Sequence, residues 1–334
     1  MNPLPPLDEI LIQTQVISIP MKVPFRGVSL RETALIQGPA GWGEFAPFLE
    51  YGPQESSFWL ASALEAAYLP YPQPRRQQIE LNATLPAVGP QQVEGVLARY
   101  QGQIKEIKVK VADPTLPFER TLAEDKARLQ QVRRLLPQAR IKIDANAHWK
   151  ADQALRALRE FEEFDLLYVE QPTADLESLA WLRRQLKAEG NPVLIAADES
   201  VRKASDPLKV ARAQAADLLV LKVAPLGGVR RALEIVEQAQ MPVVVSSALE
   251  SSVGIASGLA LAAALPELPF ACGLGTVSLL AQDVCSRPLL AQDGQLSVRQ
   301  VSPDPARLLA LQAPKARRDW WLERIRACYR QLAR

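Results

Sequence analysis

Histidine and cysteine, the side chains that most often carry metal and nucleophilic chemistry, are scarce in this chain. Its 334 residues hold one histidine, His148, and three cysteines. One imidazole cannot build a two-histidine zinc site, and a serine–histidine–acid triad would have to use His148 or find another base. Cys272, Cys285 and Cys328 are odd in number and lack Cys-x-x-Cys spacing, so neither a disulfide framework nor a thiolate metal site is indicated. Catalysis must therefore run on carboxylates, lysines or cysteines.

Charge of one sign is missing as well. Against 39 Lys and Arg stand 37 Asp and Glu, a net charge of +2 spread without a basic tract. That is not the footprint of a nucleic-acid binder. The most apolar segment, Val253–Leu265, is too short to span a bilayer, so no membrane span is expected. The first residues, MNPLPPLDEI, show no basic region followed by an apolar stretch. No signal peptide is expected there, and a reducing cytoplasm is the expected compartment. Hydrophobic residues make up 48% and charged residues 23% of the chain, which suits a globular protein with a sizeable core. The length suggests one large or two medium domains.

From about residue 79 a rhythm sets in: a short β-branched run, a polar loop, then a stretch of helical periodicity. The runs are Ile79–Thr84, Ile104–Val111, Ile141–Ala145, Leu166–Val169, Val193–Ala196, Leu218–Val223, Val243–Ser246 and Phe270–Cys272. Helices are predicted at Glu119–Leu136, Ala151–Phe164, Leu176–Leu186 and Gly228–Gln238, the first with Leu122, Leu129, Val132 and Leu136 on one face and Pro137 as a stop. The predicted fold is α/β, a closed parallel TIM-like barrel. Residues 1–78 read differently, with alternation around Arg31–Ile36, the turn Gly38-Pro39-Ala40-Gly41 and the apolar Phe58–Tyr68 segment. They form a smaller α+β domain in this reading. Ala316–Leu332 is an amphipathic helix whose Trp320, Trp321, Ile325 and Cys328 are expected to pack inside.

Active sites of parallel barrels form at the C-terminal ends of the strands. Nearly every predicted strand carries a charge there: Lys108 and Lys110, then Asp144 with Asn146, Glu170, Asp198 with Glu199, and Lys222. Asp144, Glu170, Asp198, Lys222 and Ser246 follow one another at 24 to 28 residues, about one βα unit each. Lys108 and Lys110 are two apart and share a strand face. Each acid alone reads equally well as a helix cap or a surface partner, but three successive strand ends argue for convergence. Converging carboxylates need a compensating cation. Hard oxygen donors without His or Cys suit Mg²⁺, with Mn²⁺ as a substitute. An ammonium near such a cation and other lysines has its pKa lowered from about 10.4 and can serve as a base. The chemistry implied is removal of a proton α to a carboxylate of a small-molecule substrate.

At these residues the chain resembles the enolase superfamily, and within it the muconate-lactonizing-enzyme-like subgroup. The matching pieces are IKVKV, IDANAHW, YVEQP, AADES and LKVAPLGG, in order and at family spacing. The resemblance implies a (β/α)7β barrel over residues 79–305, an N-terminal capping domain over 1–78 and a C-terminal helical segment, 306–334, packing back on the cap. Further segments, VVVSSALESSVG, CGLGTVSLLAQDV, PMKVPFRGVSLRE and GWGEFAPFLEYGPQE, are similar to the o-succinylbenzoate synthases of cyanobacterial and actinobacterial type. That likeness implies a hydro-lyase of menaquinone or phylloquinone synthesis, forming o-succinylbenzoate by syn-dehydration through an enediolate. Lysine bases with Mg²⁺ are the superfamily pattern.

By position, the resemblance makes Lys110 the base, Lys222 the opposing electrostatic group, and Asp144, Glu170 and Asp198 the Mg²⁺ ligands. Lys108 would support Lys110 and contact the substrate carboxylate, while Asn146 and Glu199 would stand behind the site, Glu199 pairing with Lys222. Ser246 and Ser247, ahead of a helix start, are candidate contacts for the succinyl carboxylate and read equally well as turn or cap residues. Arg26 and the segment Phe48–Tyr51 belong to the part of the cap that closes over the site, and Arg26 is a candidate substrate contact. His148 is expected to be a solvated loop residue at the rim. Dipeptide epimerases carry an Asp-x-Asp in strand eight where this chain has Gly273-Leu274-Gly275-Thr276. Epimerase and N-succinylamino acid racemase activity stay as alternatives, as does a catalytically silent ligand-binding barrel. Oligomeric state is open.

Overall fold

The computed structural model describes residues 3–25, 27–203 and 205–333. Arg26, one expected substrate contact, lies outside the described residues. After a short helix, Leu7–Ile12, the cap opens with three antiparallel strands, β1 (Thr14–Phe25), β2 (Val28–Gly38) and β3 (Gly41–Phe45), ordered β1-β2-β3. Their inward residues Val16, Ala34, Ile36 and Phe45 are buried, as period-two alternation requires. Helix Pro53–Tyr68 covers this sheet closely. Its approach depends on Gly43, where a Cβ would run into the Ala63 carbonyl.

Past the cap come β4 (Gln78–Glu80), β5 (Ala83–Leu85), β6 (Glu106–Lys110), β7 (Arg140–Asp144), β8 (Leu166–Glu170), β9 (Leu194–Ala197), β10 (Leu218–Leu221), β11 (Val243–Val245) and β12 (Gln295–Ser297). Strands β5 to β11 lie side by side in chain order, every pairing between them parallel. Helices such as Phe118–Leu135 and Val229–Ala239 cover the outside. Leu122, Leu129 and Val132 of the first face a continuous core with Ile107, Val109, Ile141 and Ile143 of the strands. Full burial of each such aliphatic chain is worth roughly 1.5–3 kcal/mol.

The sequence-predicted strand Ile79–Thr84 is two strands. Gln78–Glu80 pairs antiparallel with the three-residue β12, whereas Ala83–Leu85 enters the barrel beside β6. The predicted strand Phe270–Cys272 contributes only bridges, Leu81 with Cys272 and Ser246 with Gly273, yet these close the ring between β11 and β5. Cys272 N donates to Glu80 O at 2.8 Å and Gly273 N to Val245 O at 2.9 Å. A buried ion pair reinforces this thin seam. Lys142 Nζ donates to Glu106 Oε2 at 3.1 Å and to Ala271 O at 2.8 Å, while Ala271 N donates to the same Glu106 oxygen at 3.0 Å.

Helix Lys315–Leu332 buries Trp321, Ile325 and Cys328 in the same core as Phe45, Trp59 and Leu60 of the cap. The Trp321 ring meets Phe45 edge-on at 5.7 Å. Trp320, expected inside, is instead 39% exposed and lies under the guanidinium groups of Arg317 and Arg324. Adjacent helix positions point about 100° apart, so both tryptophans cannot face one core.

Candidate active site

Strand register brings the charged residues to one level. Lys110 pairs with Asp144 across β6 and β7, and Asp144 with Glu170 across β7 and β8. Asp198 follows β9 directly, and Lys222 follows β10. In β6 the alternation sends Ile107 and Val109 outward to the helices and Lys108 and Lys110 inward. Three acids and three lysines therefore meet at the C-terminal mouth, although the apolar runs behind them are ordinary core.

Lys108 Nζ lies 3.0 Å from Glu170 Oε1 and 3.2 Å from Asp144 Oδ2. Lys110 Nζ donates to Asp144 Oδ2 at 2.5 Å and to Asn146 Oδ1 at 2.7 Å. On the other side, Lys222 pairs with Asp198. The expected pairing of Glu199 with Lys222 gives way to a different one: Glu199 Oε1 accepts from Arg202 at 2.9 Å and from Asn146 at 3.3 Å. Asp198 stands nearer Lys222 because it closes β9, whereas Glu199 has already turned into a short 3-10 helix.

All three carboxylates are buried. Burial opposes ionisation of Asp144, but the Lys108 and Lys110 charges outweigh it and hold the carboxyl below its usual range. Asp198 is likewise held low against burial by Lys222. Glu170 goes the other way, pushed up to about 7 by burial and the Asp144 charge. Lys108 is raised, because Glu170, Asp144 and Asp198 together overcome its burial.

Among the described residues, no three His, Cys, Asp or Glu stand close enough as placed to hold a metal ion. The donor chemistry nonetheless fits Mg²⁺. Three buried hard-oxygen donors arrive from consecutive strands, and Lys108 alone bridges two of them.

Two clefts flank the mouth where cap meets barrel. One is lined by Phe48, Tyr51, Trp59, Arg202 and Lys222, so the Phe48–Tyr51 segment does reach the site. Sequence reasoning missed Arg202, whose only signal was its place three residues after Glu199. The other is lined by Ser246, Ser247, Glu44, Glu250 and Leu274. Ser247 Oγ donates to Gly273 O at 3.0 Å and lies 3.0 Å from Thr276 Oγ1, tying the chain to the Gly273–Thr276 stretch. His148 is exposed, with Nδ1 3.0 Å from the Ala112 carbonyl.

Comparison with known proteins gives the family and the fold. Residues 91–303 match the family model described as enolase C-terminal domain-like, and residues 16–67 match enolase N-terminal domain-like. A muconate lactonizing enzyme from Pseudomonas fluorescens, solved with muconolactone, superposes with a TM-score of 0.75 at 20% identity, over 90% of this chain and 98% of that one. A probable mandelate racemase from Alicyclobacillus acidocaldarius gives 0.71 at 23% identity, over 90% and 95%. These two show the fold. Among curated relatives, the o-succinylbenzoate synthase of Mycolicibacterium smegmatis is 53% identical over 329 residues, 98% of both chains. That of Mycobacterium ulcerans is also 53% identical, over 98% of this chain and 97% of its own. The chain belongs to the enolase superfamily and, within it, to the o-succinylbenzoate synthase family.

Proposed function

We propose that this enzyme dehydrates 2-succinyl-6-hydroxy-2,4-cyclohexadiene-1-carboxylate to o-succinylbenzoate, as a hydro-lyase of menaquinone or phylloquinone synthesis. One observation carries the reading: Lys110 and Lys222 are held on separate carboxylates around one mouth, in a chain over half identical to o-succinylbenzoate synthases along its length. The three cysteines are free and buried, which fits a reducing cytoplasm.

In its neutral form Lys110 takes the proton α to the ring carboxylate, with Asn146 Oδ1 orienting its amine. The released electron pair spreads into the carboxylate as an enediolate. Lys222, on the opposite side and paired with Asp198, offsets that charge electrostatically. The bond to the hydroxyl then breaks. Lys110, now an ammonium on the same face, returns the proton to the leaving group, so water departs and the ring becomes aromatic. Lys108, between Glu170 and Asp144, presents a cation to the ring carboxylate. Enolase-superfamily enzymes generally use Mg²⁺, and Asp144, Glu170 and Asp198 would hold it here, with Mn²⁺ as a substitute. When bound, it supplies further positive charge at the substrate carboxylate.

The test compares kcat/KM for dehydration with N-succinylamino acid racemization and dipeptide epimerization. Dehydration is expected to be highest, and a higher value for either other reaction would overturn the reading. Epimerization is expected to be weakest, because the Gly273–Thr276 stretch offers no carboxylate to a dipeptide's ammonium.

A further inference from the structure

Lys110 ends its strand, at the point where the backbone leaves the sheet. An ion pair on the outer helix Phe118–Leu135 grips the chain there from behind. Arg128 Nη1 donates to the carbonyl of Lys110 at 3.0 Å, and Nε donates to Val88 O at 2.6 Å. The same Nη1 lies 2.5 Å from Asp125 Oδ1. The other Asp125 oxygen accepts the N–H of Ala112 at 2.9 Å. Residues 110 and 112 are thus held on either side of Val111, whose own N–H donates to Asp144 O at 3.0 Å.

Two further features mark this clamp. Ala112 sits in the left-handed region, φ 62°, where a residue with a Cβ persists only if its surroundings hold it. Arg128 and Asp125 are 2% and 0% exposed. A buried pair of this kind adds little net stability over an apolar replacement. Its donors and acceptor nonetheless converge on the backbone around one lysine.

We propose that the Asp125–Arg128 pair is a positioning device for Lys110: it touches no substrate, and it holds the strand end from which Lys110 reaches the α-proton. The inference rests on the reading of Lys110 as the base. Small displacements of a catalytic group cost rate steeply, about a hundredfold for 1 Å.

The experiment measures Arg128→Met, Arg128→Lys and Asp125→Asn in the Mg²⁺-loaded full chain. Readouts are kcat, KM, the thermal midpoint, and the primary isotope effect on kcat with substrate deuterated at the α-carbon. Arg128→Met is expected to lower kcat by roughly ten- to a hundredfold, with KM nearly unchanged and a larger isotope effect, because proton transfer becomes slower relative to other steps. Arg128→Lys, which keeps the charge and a donor, is expected to recover part of that loss. Wild-type kcat and isotope effect in a variant that only melts earlier would overturn the proposal, as would a rise in KM alone. Should Arg128→Met fail to fold, Asp125→Asn and Arg128→Lys decide by the same criteria. A Lys110→Ala variant separates the two ideas. If it keeps activity, the base assignment fails; if it is dead while Arg128→Met turns over normally, only the clamp fails.

Discussion

Two of the clusters of buried charge in this molecule, the barrel mouth and the seam between cap and barrel, are treated differently. At the barrel mouth, Asp144, Glu170 and Asp198 are answered chiefly by the ammonium groups of Lys108, Lys110 and Lys222, at the ends of long side chains. At the seam between cap and barrel, Glu44 and Glu250 surround Arg31, and the main chain does much of the answering. Glu44 accepts from Ser251 N at 3.1 Å and Gly254 N at 2.8 Å, and Glu250 accepts from Ala248 N at 2.7 Å. Arg31 donates to the Leu249 and Ala46 carbonyls. Backbone partners cannot leave without unfolding, whereas an ammonium can rotate away or lose its proton. The seam is therefore a joint, and the mouth has the adjustable charges that acid–base chemistry needs.

If that contrast holds, the two clusters should fail in different ways. The largest effect belongs to the mouth. Lys110→Ala and Lys222→Ala should each lower kcat by at least 10²-fold, the scale of a lost general base or charge stabiliser, while circular dichroism and the melting point change little. A Lys110→Ala enzyme keeping more than about a tenth of parental kcat would remove it from the mechanism. Chelation comes next: EDTA should bring dehydration near background, and Mg²⁺ should restore it. Turnover that ignores EDTA would sink the metal assignment to Asp144, Glu170 and Asp198.

The seam should show the reverse pattern. Arg31→Met leaves the buried Ala46, Ala248 and Leu249 carbonyls without their donor and removes the charge facing Glu44 and Glu250, and should cost about 1–3 kcal/mol or more of stability in denaturant titration, with turnover per folded molecule close to the parent's. A large kcat loss without destabilisation would erase the distinction between joint and site. The smallest effect is pH-dependent. Burial and the Glu44 charge push Glu250 up to about 7, so the folded state holds this proton more tightly than the unfolded chain does. Stability from that proton is full below the unfolded pKa of about 4.5 and is lost as pH rises toward 7. Glu250→Gln should flatten this part of the stability profile, and an unchanged slope would show that Glu250 does not titrate there.

The barrel was legible because each βα unit repeats one pattern, and the mouth was legible because a charge at the end of an apolar run has little structural reason to be there. Lys108, Lys110, Asp144, Glu170, Asp198 and Lys222 meet as their spacing implied. What escaped depended on pairing over long sequence distances. The split at Leu81 is decided by Gln295–Ser297, more than two hundred residues away, and three residues are too few to establish a strand period of their own. Arg128 and Asp125 looked like ordinary members of a charged helix face, since nothing in Glu119–Leu136 reveals that the chain beyond Lys110 folds beneath them. Trp320 was misplaced because an amphipathic pattern gives a face but not its edge.

Helix Lys315–Leu332 completes the core of the cap, with Trp321 inserted between strands and helices made from residues before 70. During synthesis the ribosome would release those early strands long before their last partner exists. The cap must wait, with its apolar face open, until residues 315–332 have been made. Its assembly thus follows that of the barrel segments that precede this helix in the chain, and until then its open apolar face is the part of the molecule most exposed to misassembly.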